Sequence, residues 1–208
     1  FRLPTYLNGH PDGMLIEAVA GLLDELGVRS EVVLATKAGH TRGEDGSWGL
    51  DSRPEYLREA AEASLARLGV EQIQLWQHHR PDPECDYRAT MEALREVADS
   101  GIVAMVGISN ADPEQIRTAH DVLGDRLVSV QNQFSPKFRS SAPEIEVCTE
   151  LGLAFLPWSP LGGIGRAGDL GEAFAPFAEV AEAHGVSPQQ VALAWELAQA
   201  DVVVPIPG

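Results

Sequence analysis

At 208 residues, 44% hydrophobic and 6% aromatic, the chain can bury one substantial core, and a single domain over 1–208 is the expectation. Its 15 basic residues against 31 acidic ones, a net charge of −16, argue against a nucleic-acid partner, which calls for clustered Lys and Arg. No run reaches the ~18 apolar residues of a membrane span, no signal-peptide pattern opens the chain, and Cys85 and Cys148 lie far apart without metal-ligand spacing, so no membrane or metal is expected and a cytoplasmic protein with packed, reduced thiols is.

From about residue 14 onward, apolar β-branched runs alternate with helical patterns. Strands are expected at 32–35, 73–77, 103–108, 127–132, 153–158 and 202–206. Most are apolar on both faces, as strands are when helices cover one side and a core fills the other. Between them the helices announce their starts. Ser52-Arg53-Pro54-Glu55 reads as a capping box, followed by an apolar stripe of Leu57, Ala61, Leu65 and Leu68 and a left-handed stop at Gly69. A helix is expected over 88–100. Asp112 opens the next, with Ile116, Ala119 and Leu123 inward. A further helix is expected over 174–184. Ser187-Pro188-Gln189-Gln190 opens the last, with Val191, Ala194, Trp195 and Ala198 as its inner face. Glu55, Glu59 and Glu62 read as a solvated face.

Strand–helix alternation predicts βαβ units and a parallel sheet. Two architectures satisfy it, a doubly wound open sheet and a closed (β/α)8 barrel. The Gly-rich segment Gly162-Gly163-Ile164-Gly165 follows a late strand and lacks dinucleotide-fingerprint spacing. The barrel is favoured because polar residues collect where barrel enzymes place their chemistry, at the carboxyl ends of successive strands. These are Thr36-Lys37, His78-His79-Arg80, Ser109-Asn110, Gln131-Asn132 and Trp158-Ser159.

At these residues the chain resembles the aldo-keto reductases. The blocks are VLATKAG (33–39), LWQHHRPDP (75–83), VGISN (106–110), VQNQ (130–133), FLPWSPL (155–161) and VALAW (191–195). Six blocks in the family's order, covering about 14–208, make the resemblance specific, and the pattern is nearest to bacterial members. The resemblance implies a (β/α)8 TIM barrel, of which six strands are recognisable. It also implies NADP(H) as cofactor, an aldehyde, ketone or ketosugar as carbonyl substrate, and hydride transfer between them.

Hydride transfer leaves negative charge on the carbonyl oxygen, so the site needs a proton donor and cationic or hydrogen-bonding neighbours. By resemblance Lys37 and His79 are the catalytic pair, the lysine lowering the pKa of a tyrosine donor and the histidine orienting the carbonyl. The competing reading of Lys37 is a lysine snorkelling from the barrel mouth. For His79 it is a hydrogen-bonded core histidine, a role that His78 fits better. Only one of two neighbouring strand residues can face inward. Ser109, Asn110 and Gln131 match the residues that hold the nicotinamide carboxamide, and Trp158 the aromatic on which the ring stacks. Ser159, Leu161 and Gly162 lie where the pyrophosphate would meet backbone N–H donors. Trp48 is a candidate for the substrate mouth.

The family pattern breaks at both ends. Tyr6 stands 31 positions before Lys37, close to the family tyrosine, but Phe1 occupies the place of its aspartate. Residues 1–12 are therefore expected to be the remnant of a loop, with the proton donor and its aspartate missing and the barrel incomplete around 1–13 and after 208. The competing function is a cofactor-binding regulatory subunit with little turnover. A phosphate-sugar aldolase would also use a strand-end lysine, but leaves Ser109, Asn110, Gln131 and Trp158 without a role.

Overall fold

A computed structural model of the chain describes residues 5–6, 14–43, 45–163 and 175–207. The helices begin where the sequence offers a partner for their first free N–H groups. Asp86 accepts from Ala89 N (2.8 Å) at the start of α3 (Tyr87–Asp99). At the head of α4 (Pro113–Leu123), Asp112 accepts from Gln115 N and Gln115 Oε1 accepts from Asp112 N. Ser187 and Gln190 form the reciprocal capping box of α7 (Pro188–Leu197). Left-handed Gly69 and Gly152 stop α2 (Pro54–Leu68) and α5 (Ala142–Leu151). The remaining helices are α1 (Met14–Glu25) and α6 (Ala175–His184). None of the described helices is long and apolar enough to cross a membrane.

The chain divides into two compact units, residues 1–111 with 117–128, and 112–116 with 129–208. In the first, four strands pair in parallel: β1 (Thr5–Tyr6), β2 (Leu34–Ala38), β5 (Ile73–His78) and β6 (Val103–Ser109). A separate antiparallel hairpin follows β2, made of β3 (His40–Arg42) and β4 (Trp48–Leu50). Leu57, Trp76, Met91, Leu94, Val106 and Ile108 are fully buried and form the core of this unit. In the second, β7 (Leu127–Gln131) pairs in parallel with β8 (Ala154–Phe155), through Ser129 with Ala154 and Val130 with Phe155.

Several expectations need correction. Thr5–Tyr6 is a strand rather than a loop remnant, with Tyr6 level with Ala35 of β2; Thr and Tyr both favour extended backbone. The expected strand over 153–158 shrinks to two residues plus a bridge at Trp158, and 202–206 to bridges at Val203 and Ile206. Pro157 and Pro205 interrupt these runs, and proline has no N–H to give a ladder. The Ser52 box does not form, since Arg53 is the N-cap of α2 and makes no side-chain cap bond. On α7 the buried residues are Ala192 and Glu196, while Ala194 and Ala198 face solvent. Trp195 is half-buried, stacked on Phe134 at 5.5 Å with the Arg139 guanidinium 4.7 Å from its ring centre. The turn of α5 and the β3–β4 hairpin were not foreseen. Of the Gly-rich segment, 164 and 165 lie outside the described residues, as does 174 at the start of the helix expected over 174–184.

Candidate active site

The carboxyl ends of β2 and β5 lie side by side, with Lys37 level with Gln77 and Ala38 level with His78. The ladder continues one residue past β5, where His79 N donates to Ala38 O at 2.8 Å. Lys37 is half-buried, and burial brings its ammonium down to about 8 from 10.5. His79 is close enough to feel that charge. Burial first, then Lys37, His40 and Arg80, push its imidazole down to about 3, so it is neutral at ordinary pH. A neutral imidazole keeps one N–H to give to an oxygen.

The two adjacent histidines separate as strand alternation requires. His78 is 1% exposed and hydrogen-bonds Ser52 Oγ through Nε2 at 2.8 Å. Burial pushes it down to about 4. His79 is more open, and its ring lies 4.1 Å from that of His40, tilted by 34°. His40 also meets Trp48, edge to face at 5.7 Å, and the Arg42 guanidinium sits 4.4 Å from the Trp48 ring centre. A cavity of about 370 Å³ opens beside this hairpin, lined by Lys37, His40, Arg42, Trp48, Tyr56 and Glu59 among others. A larger hollow of about 450 Å³ lies at the amino ends of β2 and β5, around Arg29, Leu34 and Ile73, and holds none of the predicted site residues. His40 was missed by sequence reasoning. The available signal was an imidazole three positions past Lys37, beyond the strand end, where only pairing into a hairpin aims it back.

At the end of β6, Ser109 is buried and Asn110 adopts a left-handed backbone with φ 56°. The Asn110 side-chain amide donates to His79 O at 3.0 Å and to Ser109 Oγ at 3.1 Å. Asn110 therefore braces the His79 backbone. Left-handed non-glycine residues are costly and persist where surrounding structure enforces them.

In the second unit, Gln131 and Asn132 are buried at the end of β7. Trp158 N donates to Asn132 O at 3.0 Å, and its indole Nε1 is buried with no hydrogen-bond partner among the described residues. Ser159 is the other left-handed non-glycine residue described, at φ 55°. A turn follows it, in which Gly162 N donates to Ser159 O at 2.9 Å. Gly162 and Gly163 take φ 93° and 106°, conformations a side chain would resist. Leu161 lies inside this turn and is half-buried. Lys37, His79, Trp48, Ser109 and Asn110 thus gather in the first unit, and Gln131, Trp158, Ser159, Leu161 and Gly162 in the second.

Parallel strands joined by helices, with polar groups at successive strand carboxyl ends, define a βα-repeat protein of the class that places chemistry at those ends. The profile of the aldo/keto reductase family matches residues 4–208, and the chain belongs to that family of oxidoreductases. It is 36% identical over 210 residues to the 6-dehydroglucose reductase of Novosphingobium aromaticivorans, covering 96% of this chain and 66% of that protein. With the pyridoxine 4-dehydrogenase of Escherichia coli it shares 30% identity over 190 residues, 86% of this chain and 62% of that one. Among solved structures, the glycerol dehydrogenase of Gluconobacter oxydans superposes with a TM-score of 0.80 at 22% identity, over 97% of this chain and 71% of its own. That family's fold is the (β/α)8 barrel, and the parallel βα units of this chain are of that class. The chain spans between 56% and 66% of the length of five curated relatives that it matches.

Proposed function

We propose that the protein carrying this chain is an NADP(H)-dependent reductase of a small aldehyde, ketone or ketosugar. The observation that carries the reading is the pairing of Lys37, its ammonium brought down to about 8, with the neutral His79 at neighbouring strand ends. A binding role alone gives no reason to place two such groups together. In carbonyl reduction the oxygen gains negative charge as the carbon gains hydride, then takes a proton to become a hydroxyl. His79 N–H orients the oxygen, and the Lys37 ammonium stabilises the charge and the proton donor. Strand β1 brings Tyr6 level with Ala35, two residues before Lys37 along β2, and this pairing makes Tyr6 the proposed donor in place of the one expected to be missing.

The residues present fit a nicotinamide cofactor, which supplies the hydride. By family resemblance the first unit offers Ser109 and the side-chain carbonyl of Asn110, whose amide N–H groups are taken by His79 O and Ser109 Oγ; the second, described by itself, offers the Gln131 amide and the indole face of Trp158. Ser159, Leu161 and Gly162 are assigned to the pyrophosphate by family resemblance, on a turn whose own bond occupies the Gly162 N–H. Trp48 is assigned to the substrate side, where it covers His40. The test is NADPH oxidation with a panel of aldehydes, ketones and ketosugars. Lys37→Met and Tyr6→Phe are each expected to lower kcat by roughly 10²–10⁴-fold while NADPH still binds. Turnover by wild type that survives in Lys37→Met would remove the lysine from the mechanism.

A further inference from the structure

Ser52 sits where a helix cap is expected, yet its hydroxyl is used elsewhere. It is 1% exposed, and its hydrogen bond runs to His78, 26 residues away and equally buried. A serine accepting from an early helical N–H would contribute about 1 kcal/mol to α2. That contribution is forgone for a long-range bond, so the bond's geometric consequence is what calls for explanation.

The consequence is a closed neck. Residues 39–52 leave the end of β2, form the β3–β4 hairpin and return. Asp51 N donates to Gly39 O at 3.0 Å, drawing the two ends together. Gly39, at φ 111°, lies against the His78 ring, and a Cβ added there would meet His78 Cδ2 at 3.3 Å. On the helix side the Tyr56 hydroxyl donates to His40 O at 3.3 Å. The Ser52–His78 bond fastens this neck to the end of β5, one residue before His79. Hanging from it are His40, against the His79 ring, and Trp48, against His40.

We propose that Ser52 and His78 are positioning residues for the carbonyl site: their hydrogen bond clamps the 39–52 loop to β5 and so holds His40 against the ring of His79. His40 Nε2 is buried with no hydrogen-bond partner among the described residues, so the side chain is held by its ring contacts and by the loop that carries it. If the loop shifts, the His79 ring loses the surface that fixes its plane, and its N–H no longer points reliably at the substrate oxygen. A placement error of about 1 Å in such a group costs on the order of 10²-fold in rate. The role of His79 rests on the proposed function; the clamp itself does not.

Two measurements test the clamp. The first is native-state trypsin digestion mapped by mass, comparing cleavage after Arg42 in the hairpin with cleavage after Arg95 in α3. Ser52→Ala is expected to speed the Arg42 cut about tenfold and leave the Arg95 cut unchanged, since a lost buried hydrogen bond opens the segment it held. Ser52→Thr, which restores the hydroxyl, should return the Arg42 cut toward wild type. Equal acceleration at both sites, or at neither, overturns the proposal. The second is a double-mutant cycle in carbonyl reduction. Ser52→Ala should lower kcat/KM about tenfold in wild type and have no further effect in a His40→Leu background. Losses that multiply show that the bond does not act through His40, which also overturns it. Absence of turnover in wild type would contradict the reductase reading, and the digestion would still decide on the clamp.

Discussion

Burial keeps the Lys37 ammonium near 8 rather than 10.5, so it is charged at neutral pH and loses that charge just above it. On the proposed mechanism only the charged form stabilises the oxygen that turns negative as the carbon receives the hydride. The kcat/KM for carbonyl reduction is therefore expected to fall as pH rises through about 8, and the limb should move to higher pH in Lys37→Arg, whose guanidinium stays protonated. A pH–rate profile unchanged by that substitution would assign the limb to another group. The placement of Lys37 and His79 at neighbouring strand ends was legible because residue type, strand end and family block coincide. His40 was not, because its role depends on a hairpin that turns it back over β5, and single-residue reading has no access to that pairing. Ser52 was misread for a related reason. Its local context, one residue before Arg53-Pro54, is that of a cap, and only the tertiary neighbour His78 diverts the hydroxyl.

Among the elements, helix starts with reciprocal side chains were the most legible. Asp112 with Gln115 and Ser187 with Gln190 form in the structure as the spacing predicts. Ser187→Ala is expected to lower stability by about 1 kcal/mol in urea unfolding; an unchanged midpoint would show that neighbouring contacts, not the box, hold the start of α7. Helix α5 escaped notice because its buried residues Ile145, Val147 and Cys148 are two and one positions apart, a spacing that gives no clean helical stripe. The strands that shrank are those with prolines, where apolar composition suggests a ladder that missing N–H groups prevent. On α7 the inward face was misplaced by about one position, drawn toward Trp195 by size. That error left Glu196 unnoticed, although it is fully buried.

Glu196 matters for the whole molecule. Neither carboxylate oxygen has a hydrogen-bond partner among the described residues, and burial pushes its pKa up to about 8 from 4.5. The folded chain keeps this proton while the unfolded chain releases it, so stability falls as pH rises from about 4.5 to 8. His78 acts with the opposite sign. Its folded value of about 4, against 6.5 unfolded, means that the unfolded chain takes up a proton first as pH falls, and stability is lost from about 6.5 down to 4. Between 6.5 and 8 Glu196 acts alone of the two. Glu196→Gln is thus expected to remove a decline of about 2 kcal/mol over that interval, read from urea midpoints at each pH. Equal slopes in the two proteins would mean that Glu196 is ionised in the folded state. At this scale the barrel class was legible from the strand–helix rhythm and from polar residues at strand ends. The parallel pairing of Thr5–Tyr6 was not, because two residues after a proline carry no periodicity.

We propose that these strand ends serve a nicotinamide cofactor. The most direct test is NADPH binding to the full protein, followed by quenching of tryptophan fluorescence, with Trp158→Ala as the control. Saturable quenching by NADPH that weakens in Trp158→Ala is the result expected of a ring stacked on that indole. No binding of NADPH or NADH would contradict the account and leave Lys37 and His79 without the hydride source their chemistry requires.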